Sequence, residues 1–248
     1  MRKTRIYVRS DLKEGASIRL EGEQARYLNK VLRLDAGANF ILFNGKGGEF
    51  EARVERATRD AVDAQVVAFV KTERESPLDV TLVQGLSRGE RMDFTIQKAV
   101  ELGVHVIVPV TTERSVIRLD GQRRARRLEH WRSIAVNACQ QCGRTRLPRI
   151  DAIASLDDWL ANGFQPDVDT GWVLSPGARL KPDALTQADH VVLLIGPEGG
   201  LSDAEMARVT RSGLKPLSLG PRILRTETAA VAALTALQLK LGDLSGGL

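Results

Sequence analysis

The chain is poor in the residues that build metal centres: its 248 residues include only two cysteines and three histidines. The cysteines form a single CxxC, Cys139-Gln140-Gln141-Cys142, and a structural zinc needs a second ligand pair. Only His105, His130 and His190 stand elsewhere, so no metal is expected and both thiols read as small packing residues on one helix face. Long apolar runs are missing too: none reaches the roughly 18 residues of a membrane span. Met1 to Gly15 is charged throughout and has no apolar core of the kind a secretory signal requires. The expectation is a cytoplasmic protein with no membrane contact. No G-x-G-x-x-G follows an early strand, which argues against a dinucleotide-dependent oxidoreductase. Gly45-Lys46-Gly47 has neither Ser nor Thr after the lysine and no helix behind it, which argues against a phosphate-binding P-loop.

What is present in excess is arginine, in one place. The formal net charge is +5, a mild surplus. Between Glu113 and Arg149, however, lie Arg114, Arg118, Arg123, Arg124, Arg126, Arg127, Arg132, Arg144, Arg146 and Arg149, against Glu113, Asp120 and Glu129 alone. A solvated helix face would explain such a run, but its pairing acids are missing nearby, which favours an RNA partner.

Two domains are expected. Residues 1–72 read as short strands, Arg5 to Arg9, Ser17 to Leu20, Asn39 to Phe43, Glu49 to Val54 and Ala61 to Val70, interrupted by one helix from Gly22 to Arg33. Asn44 to Gly48 is a hairpin turn, and the whole suggests a small RNA-holding β-barrel. Thr72 to Pro77 is the polar linker. From 77 to 248 strands and helices alternate, as in a parallel sheet covered by helices. The strands are Val80 to Gln84, Val104 to Val110, Trp172 to Leu174, Val191 to Ile195 and Lys215 to Leu219. The helices are Glu90 to Leu102, Arg123 to Cys142, Asp203 to Ser212 and Glu227 to Leu241. The last is apolar nearly all round, which points either to a subunit interface or to central burial.

Two loops concentrate the chemistry. Ile195-Gly196-Pro197-Glu198-Gly199-Gly200-Leu201-Ser202 links a buried apolar strand to a helix, the junction where open α/β sheets bind ligands. Ser202 and Glu205 form a capping box at its far end. A second loop, Leu219-Gly220-Pro221-Arg222-Ile223-Leu224-Arg225-Thr226-Glu227-Thr228-Ala229-Ala230, also follows a short strand and also opens a helix.

With both loops in place, the chain resembles the SPOUT-class methyltransferases of the RsmE type, which methylate N3 of a uridine in small-subunit (16S) ribosomal RNA. Gln97-Lys98-Ala99-Val100-Glu101-Leu102-Gly103, Thr112-Glu113-Arg114-Ser115, Gln141-Cys142-Gly143-Arg144 and Val31-Leu32-Arg33-Leu34 carry the resemblance along almost the whole chain. It implies an α/β fold: a PUA-like N-terminal β-barrel domain and a C-terminal SPOUT α/β domain with a parallel sheet and a deep trefoil knot. It further implies a homodimer, S-adenosyl-L-methionine as methyl donor, and 16S rRNA or the small ribosomal subunit as partner. One departure is visible: where relatives often carry a His-His pair, this chain has Arg26 and Tyr27, which keeps phosphate binding and stacking but removes a proton acceptor.

The resemblance also selects residues. Backbone groups of Leu174, Gly196, Leu219, Gly220, Ile223 and Leu224 are expected around the donor, with Gly199 and Gly200 giving clearance and Ser175 a weaker candidate. Arg225 is expected to stabilise the uracil anion, because arginine stays cationic and forks onto carbonyl oxygens, or else to bind phosphate or a partner subunit. Glu198 holds the donor's ribose or amino group, serves as base if burial raises its pKa, or stabilises the helix terminus. Glu227 carries the same ambiguity, and Thr226 reads as the N-cap. Arg5, Arg9, Arg26, Arg33, Arg114 and Arg144 are the expected RNA contacts. A non-catalytic RNA-binding protein and a SPOUT enzyme acting at another RNA position are the rival readings.

Overall fold

The computed structural model describes residues 4–115, 121–165, 170–179 and 188–244; Arg118 and Asp120 of the basic stretch lie outside them. The chain divides into two compact units, Met1–Glu75 with Cys139–Leu147, and Ser76–Ala138 with Pro148–Leu248. The sequence reading places both boundaries on one continuous cut, 1–72 and 77–248, whereas the first unit here also contains a nine-residue piece, 139–147.

The first unit is a five-stranded sheet of β1 (Arg5–Tyr7), β2 (Ser17–Glu21), β3 (Asn39–Phe43), β4 (Glu49–Ala57) and β5 (Ala61–Val70). The order is β1-β3-β4-β5-β2, with β1 parallel to β3 and all other pairs antiparallel. It is a curled half-barrel, its edges β1 and β2 unpaired with each other among the described residues. Alternation drives it: Ala52, Val54, Val62, Ala64 and Val66 point inward with Ile6, Leu20, Phe40 and Leu42. Each fully buried large side chain contributes about 2 kcal/mol.

The expected helix from Gly22 to Arg33 is broken in two. Gly22–Arg26 is α-helical (α1), Tyr27–Val31 form a π-helical turn, and Arg33 has φ +51. Leu28 is buried beneath this turn while Arg26, Tyr27, Lys30, Val31 and Arg33 stay exposed. A widened turn re-aims side chains off the regular helical spacing, and such turns are frequent at functional sites.

The piece 139–147 is fastened within the first unit by charge. Glu75 Oε2 accepts from Arg144 Nε at 2.7 Å, and its Oε1 accepts from the amides of Thr145 and Arg146 at 3.1 and 3.0 Å. Arg5 pairs with Glu49, donates to the Arg144 carbonyl at 2.7 Å, and lies 4.7 Å from the centre of the Phe43 ring. The glycines of the hairpin complete the seat: a side chain at Gly45 would strike Leu147 and one at Gly47 would strike Arg146. The Gly45-Lys46-Gly47 turn therefore accommodates this segment.

The second unit is a seven-stranded, all-parallel sheet. It contains β6 (Asp79–Gly85), β7 (Val106–Thr111), β8 (Arg149–Ile150), β9 (Ala154–Ser155), β10 (Thr170–Leu174), β11 (His190–Ile195) and β12 (Lys215–Leu217). The helices are α2 (Glu90–Glu101), α3 (Gly121–Cys142, of which 139–142 belong to the first unit), α4 (Leu156–Asn162), α5 (Asp203–Arg211) and α6 (Thr226–Lys240). The order β12-β10-β11-β6-β7-β8 means the chain builds outward from β6, crosses to β10, and returns β11 to the centre beside β6. The carboxyl ends of β6 and β11 thus meet where strand order reverses, the place such sheets bind ligands. Helix α6 buries Ala230, Ala233, Leu234 and Leu237, while Leu239 is 51% exposed; it packs one face, not all round.

Candidate active site

The two Gly-Pro loops meet at Thr226. Its hydroxyl donates to the Gly196 carbonyl at 2.8 Å and accepts from Gln84 Nε2 at 2.9 Å. Gln84 ends β6, Gly196 follows β11, and Thr226 opens α6, so one relay of hydrogen bonds ties three chain segments at the strand ends. Gln84 is fully buried and Thr226 is 6% exposed, which makes the relay strong and costly to break. Thr226 is therefore not the N-cap: that position is Arg225, and the hydroxyl turns inward to the first loop instead.

The first loop is compact. A side chain at Gly196 would come 3.2 Å from the Gly200 carbonyl carbon, and one at Gly85 would come 2.5 Å from the Pro197 nitrogen. Gly200 has φ +67 and open space before it, consistent with clearance for a ligand. Gly199 does something else: its missing side chain faces Arg114, whose Cβ would lie 3.1 Å away. Arg114 Nη1 donates to the carbonyls of Gly199 and Leu201 at 3.1 and 3.2 Å. The expected capping box is present, Ser202 and Glu205 bonding reciprocally. The buried Glu205 carboxylate also accepts from the Glu113 amide at 2.7 Å, pinning the segment after β7 to the same loop.

The second loop offers unspent backbone. Among the described residues the amides of Leu219, Ile223 and Leu224 make no hydrogen bond within the chain, while Gly220, at φ +121, has open space where a side chain would stand. The Ser175 amide is already committed to the Leu217 carbonyl at 3.0 Å, beside Leu174 at the end of β10. These groups gather at the carboxyl ends of β10, β11 and β12. Free amides and glycine clearances of this kind fit a nucleoside held mainly by backbone, the manner expected for S-adenosylmethionine.

Glu198 accepts from the Arg88 amide at 2.9 Å and from Arg91 Nη1 at 2.8 Å. Burial pushes its carboxyl up, but the hydrogen bonds from Arg88 and Arg91 outweigh it, and the pKa lies below the ordinary carboxylate range. Glu198 was expected to serve as base only if burial raised its pKa, and that condition is not met: the shift is downward, with the carboxylate held by Arg88 and Arg91. Arg91 Nε also lies 3.9 Å from Glu227 Oε1, so one arginine faces both glutamates. Arg225 is exposed, and its guanidinium makes no hydrogen bond or ion pair among the described residues.

The expected RNA arginines separate into two sets. Arg9, Arg26 and Arg33 are exposed. Arg5 and Arg144 are 8% and 4% exposed and locked to Glu49 and Glu75, so they hold the fold and cannot reach RNA. Acids outside the stretch pair some of its arginines after all: Glu73, distant in sequence, faces Arg146, and Asp151, two residues on, faces Arg149. Arg114 stays exposed with Nη1 occupied by the first loop. Cys139 and Cys142 are free thiols, and burial pushes Cys139 up to about 12, which leaves it inert.

Gln84, Arg91 and Glu205 were not singled out as site residues. Gln84 had a readable signal, a lone amide closing an apolar strand immediately before a glycine. Arg91 had none, because its partners lie more than 100 residues away.

Residues 74–238 match the RNA methyltransferase domain family, and residues 20–67 match the RNA methyltransferase PUA domain family. The chain is 35% identical to the ribosomal RNA small subunit methyltransferase E of Buchnera aphidicola from Schizaphis graminum, over 97% of this chain and 98% of that protein. The enzyme of the same name from Bacillus subtilis is 29% identical, over 96% of both. Among solved structures, ribosomal RNA small subunit methyltransferase E of Neisseria gonorrhoeae, bound to S-adenosyl methionine, superposes with a TM-score of 0.90 at 36% identity, covering 98% of this chain and all 100% of that one. A methyltransferase from Legionella pneumophila with bound SAM reaches 0.93 at 38% identity, with the same coverage.

Proposed function

Because this chain belongs to the ribosomal RNA small subunit methyltransferase E family, we propose that it transfers a methyl group from S-adenosylmethionine to N3 of a uridine in 16S rRNA. The observation that carries this is the Gln84–Thr226–Gly196 relay. It joins both Gly-Pro loops at the strand ends, where the amides of Leu219, Ile223 and Leu224 in the second loop stay unbonded among the described residues, which suits a donor gripped by backbone.

Backbone groups of Leu174, Gly196, Leu219, Gly220, Ile223 and Leu224 hold the donor, with Gly200 giving clearance and Glu198 keeping the loop anchored to Arg88 and Arg91. Donor binding supplies a methyl already activated by positive sulfur. What remains for the protein is alignment of uracil N3 with it and stabilisation of the uracil anion. Arg225, exposed at the head of α6 with an uncommitted guanidinium, takes the second task on the uracil carbonyl oxygens. Arg9, Arg26 and Arg33 of the first unit grip RNA phosphates, and Tyr27, 43% exposed on its π-turn, stacks on a base. The enzyme works in the cytoplasm, where its ribosomal substrate is, and the knot implied by the family forms part of the same reading.

The protein acts as a homodimer. Ile223 is 84% exposed in the second loop, and Phe94 on α2 and Leu239 on α6 are 44% and 51% exposed. Apolar side chains left in water on adjoining helices are what a second subunit covers.

The test is incubation with methyl-labelled S-adenosylmethionine and either naked 16S rRNA or small-subunit particles, followed by nucleoside analysis. Label in 3-methyluridine is expected. Label at another atom, or none with either substrate, overturns the assignment.

A further inference from the structure

Removing the N3 proton of uracil needs an acceptor, and Glu198 is a poor one because its carboxylate is held by Arg88 and Arg91. One carboxylate nearby is differently placed. Glu227 sits in the first turn of α6, one residue after Thr226, which touches Gly196, and two after Arg225. Its side chain is 15% exposed, and Oε2 is shielded from solvent with no hydrogen-bond partner among the described residues. Oε1 faces Arg91 Nε at 3.9 Å, too far for a hydrogen bond but close enough for charge attraction. A buried carboxylate oxygen with unspent lone pairs is expensive unless something else uses it. The order of residues along the helix start, cation then hydroxyl then carboxylate, puts a charge stabiliser and a proton acceptor on one rigid element.

Resting on the function proposed above, we infer that Glu227 is the catalytic proton acceptor for uracil N3. Its Oε2 takes the N3 proton, and the N3 electron pair forms the new N–C bond to the donor's methyl. The S–C bond breaks with its electron pair remaining on sulfur, which leaves neutral S-adenosylhomocysteine. The proton then passes from Glu227 to water. Arg91 is the positioning residue: it holds Glu198 on one side and faces Glu227 on the other.

The experiment compares wild type, Glu227→Gln and Glu227→Asp in single-turnover methylation of the substrate that the wild type labels, from pH 6 to 9, with S-adenosylmethionine affinity measured by calorimetry. General-base loss is expected to lower the Glu227→Gln rate about 100-fold or more at neutral pH, with donor affinity within twofold of wild type. The variant's rate should then climb with pH more steeply than the wild type's, because solvent hydroxide must replace the carboxylate. RNA carrying 5-fluorouridine, whose N3 proton is more acidic, should recover much of the lost rate, and Glu227→Asp should fall between. A Glu227→Gln rate within a few-fold of wild type overturns the inference. So does a fall in donor affinity that accounts for the rate loss, or no recovery with 5-fluorouridine. Wild-type label at an atom other than N3 overturns the function it rests on as well, which separates the two failures.

Discussion

The Thr226 hydroxyl donates to the Gly196 carbonyl at 2.8 Å, across 30 residues of chain, and so fixes the distance between the two loops proposed to hold the donor. Because the same hydroxyl accepts from Gln84, replacing it takes this donor from the Gly196 carbonyl and leaves the buried Gln84 amide nitrogen with the Gly85 carbonyl alone. Thr226→Val keeps the shape and removes both bonds, so S-adenosylmethionine affinity should fall about tenfold, equivalent to about 1.4 kcal/mol. Thr226→Ser should stay near wild type. Calorimetric titration of the three proteins checks this, and equal affinities for Val and Thr would mean the loops hold their spacing without the relay.

Substitution in the first loop should separate donor binding from RNA binding, by different routes at neighbouring glycines. Gly200→Val forces a branched side chain onto a backbone at φ +67, a strain of about 1–2 kcal/mol. Gly199→Val instead displaces Arg114 and loosens its bonds to the carbonyls of Gly199 and Leu201. Both should weaken S-adenosylmethionine binding by about tenfold while RNA affinity, read by filter binding, changes less than twofold. RNA affinity falling first would place this loop in the RNA surface.

The parallel sheet was legible because β7 and β11 are nearly unbroken apolar runs and the loop after β11 is rich in glycine. Strands β8 and β9 were not: two residues carry no periodicity, and neither they nor the seven-residue α4 stand out from a loop. The π-turn at Tyr27 was hidden because Ala25 and Leu28 keep a helical apolar spacing whichever way the turn closes. Within the site, the glycine loops declared themselves through local backbone demands. Arg5 and Arg144 misled for the opposite reason, since an arginine's surroundings depend on Glu49 and Glu75, which lie 44 and 69 residues away.

That distinction makes the arginines of the first unit separable by experiment. Arg5→Ala leaves Glu49 buried beside Arg74 alone and frees the Arg144 carbonyl, and should cost about 3 kcal/mol of stability. Arg26→Ala, at an exposed position, should leave thermal unfolding unchanged within about 0.5 kcal/mol. It should instead weaken RNA binding and reduce the slope of log affinity against log salt by about 1. An Arg26→Ala slope equal to wild type would remove Arg26 from the phosphate contacts.

Glu198 sets how donor binding responds to acid. Its folded-state pKa lies below the unfolded value, so whatever its links to Arg88 and Arg91 contribute is fully present above the ordinary glutamate range. That contribution is lost only as pH falls through the depressed folded value. Affinity for S-adenosylmethionine should therefore stay level from pH 8 to about 5 and decline only below about 4, the ordinary glutamate pKa. Glu198→Gln carries no charge to lose: it should bind the donor more weakly than wild type at neutral pH and show little of that acid decline, converging with the wild type at low pH. Calorimetry across this range distinguishes an ionised anchor from a carboxylate raised by burial, for which the loss would begin above pH 5. A decline starting there in the wild type and missing in Glu198→Gln would show that desolvation, and not the pair of arginines, governs this side chain.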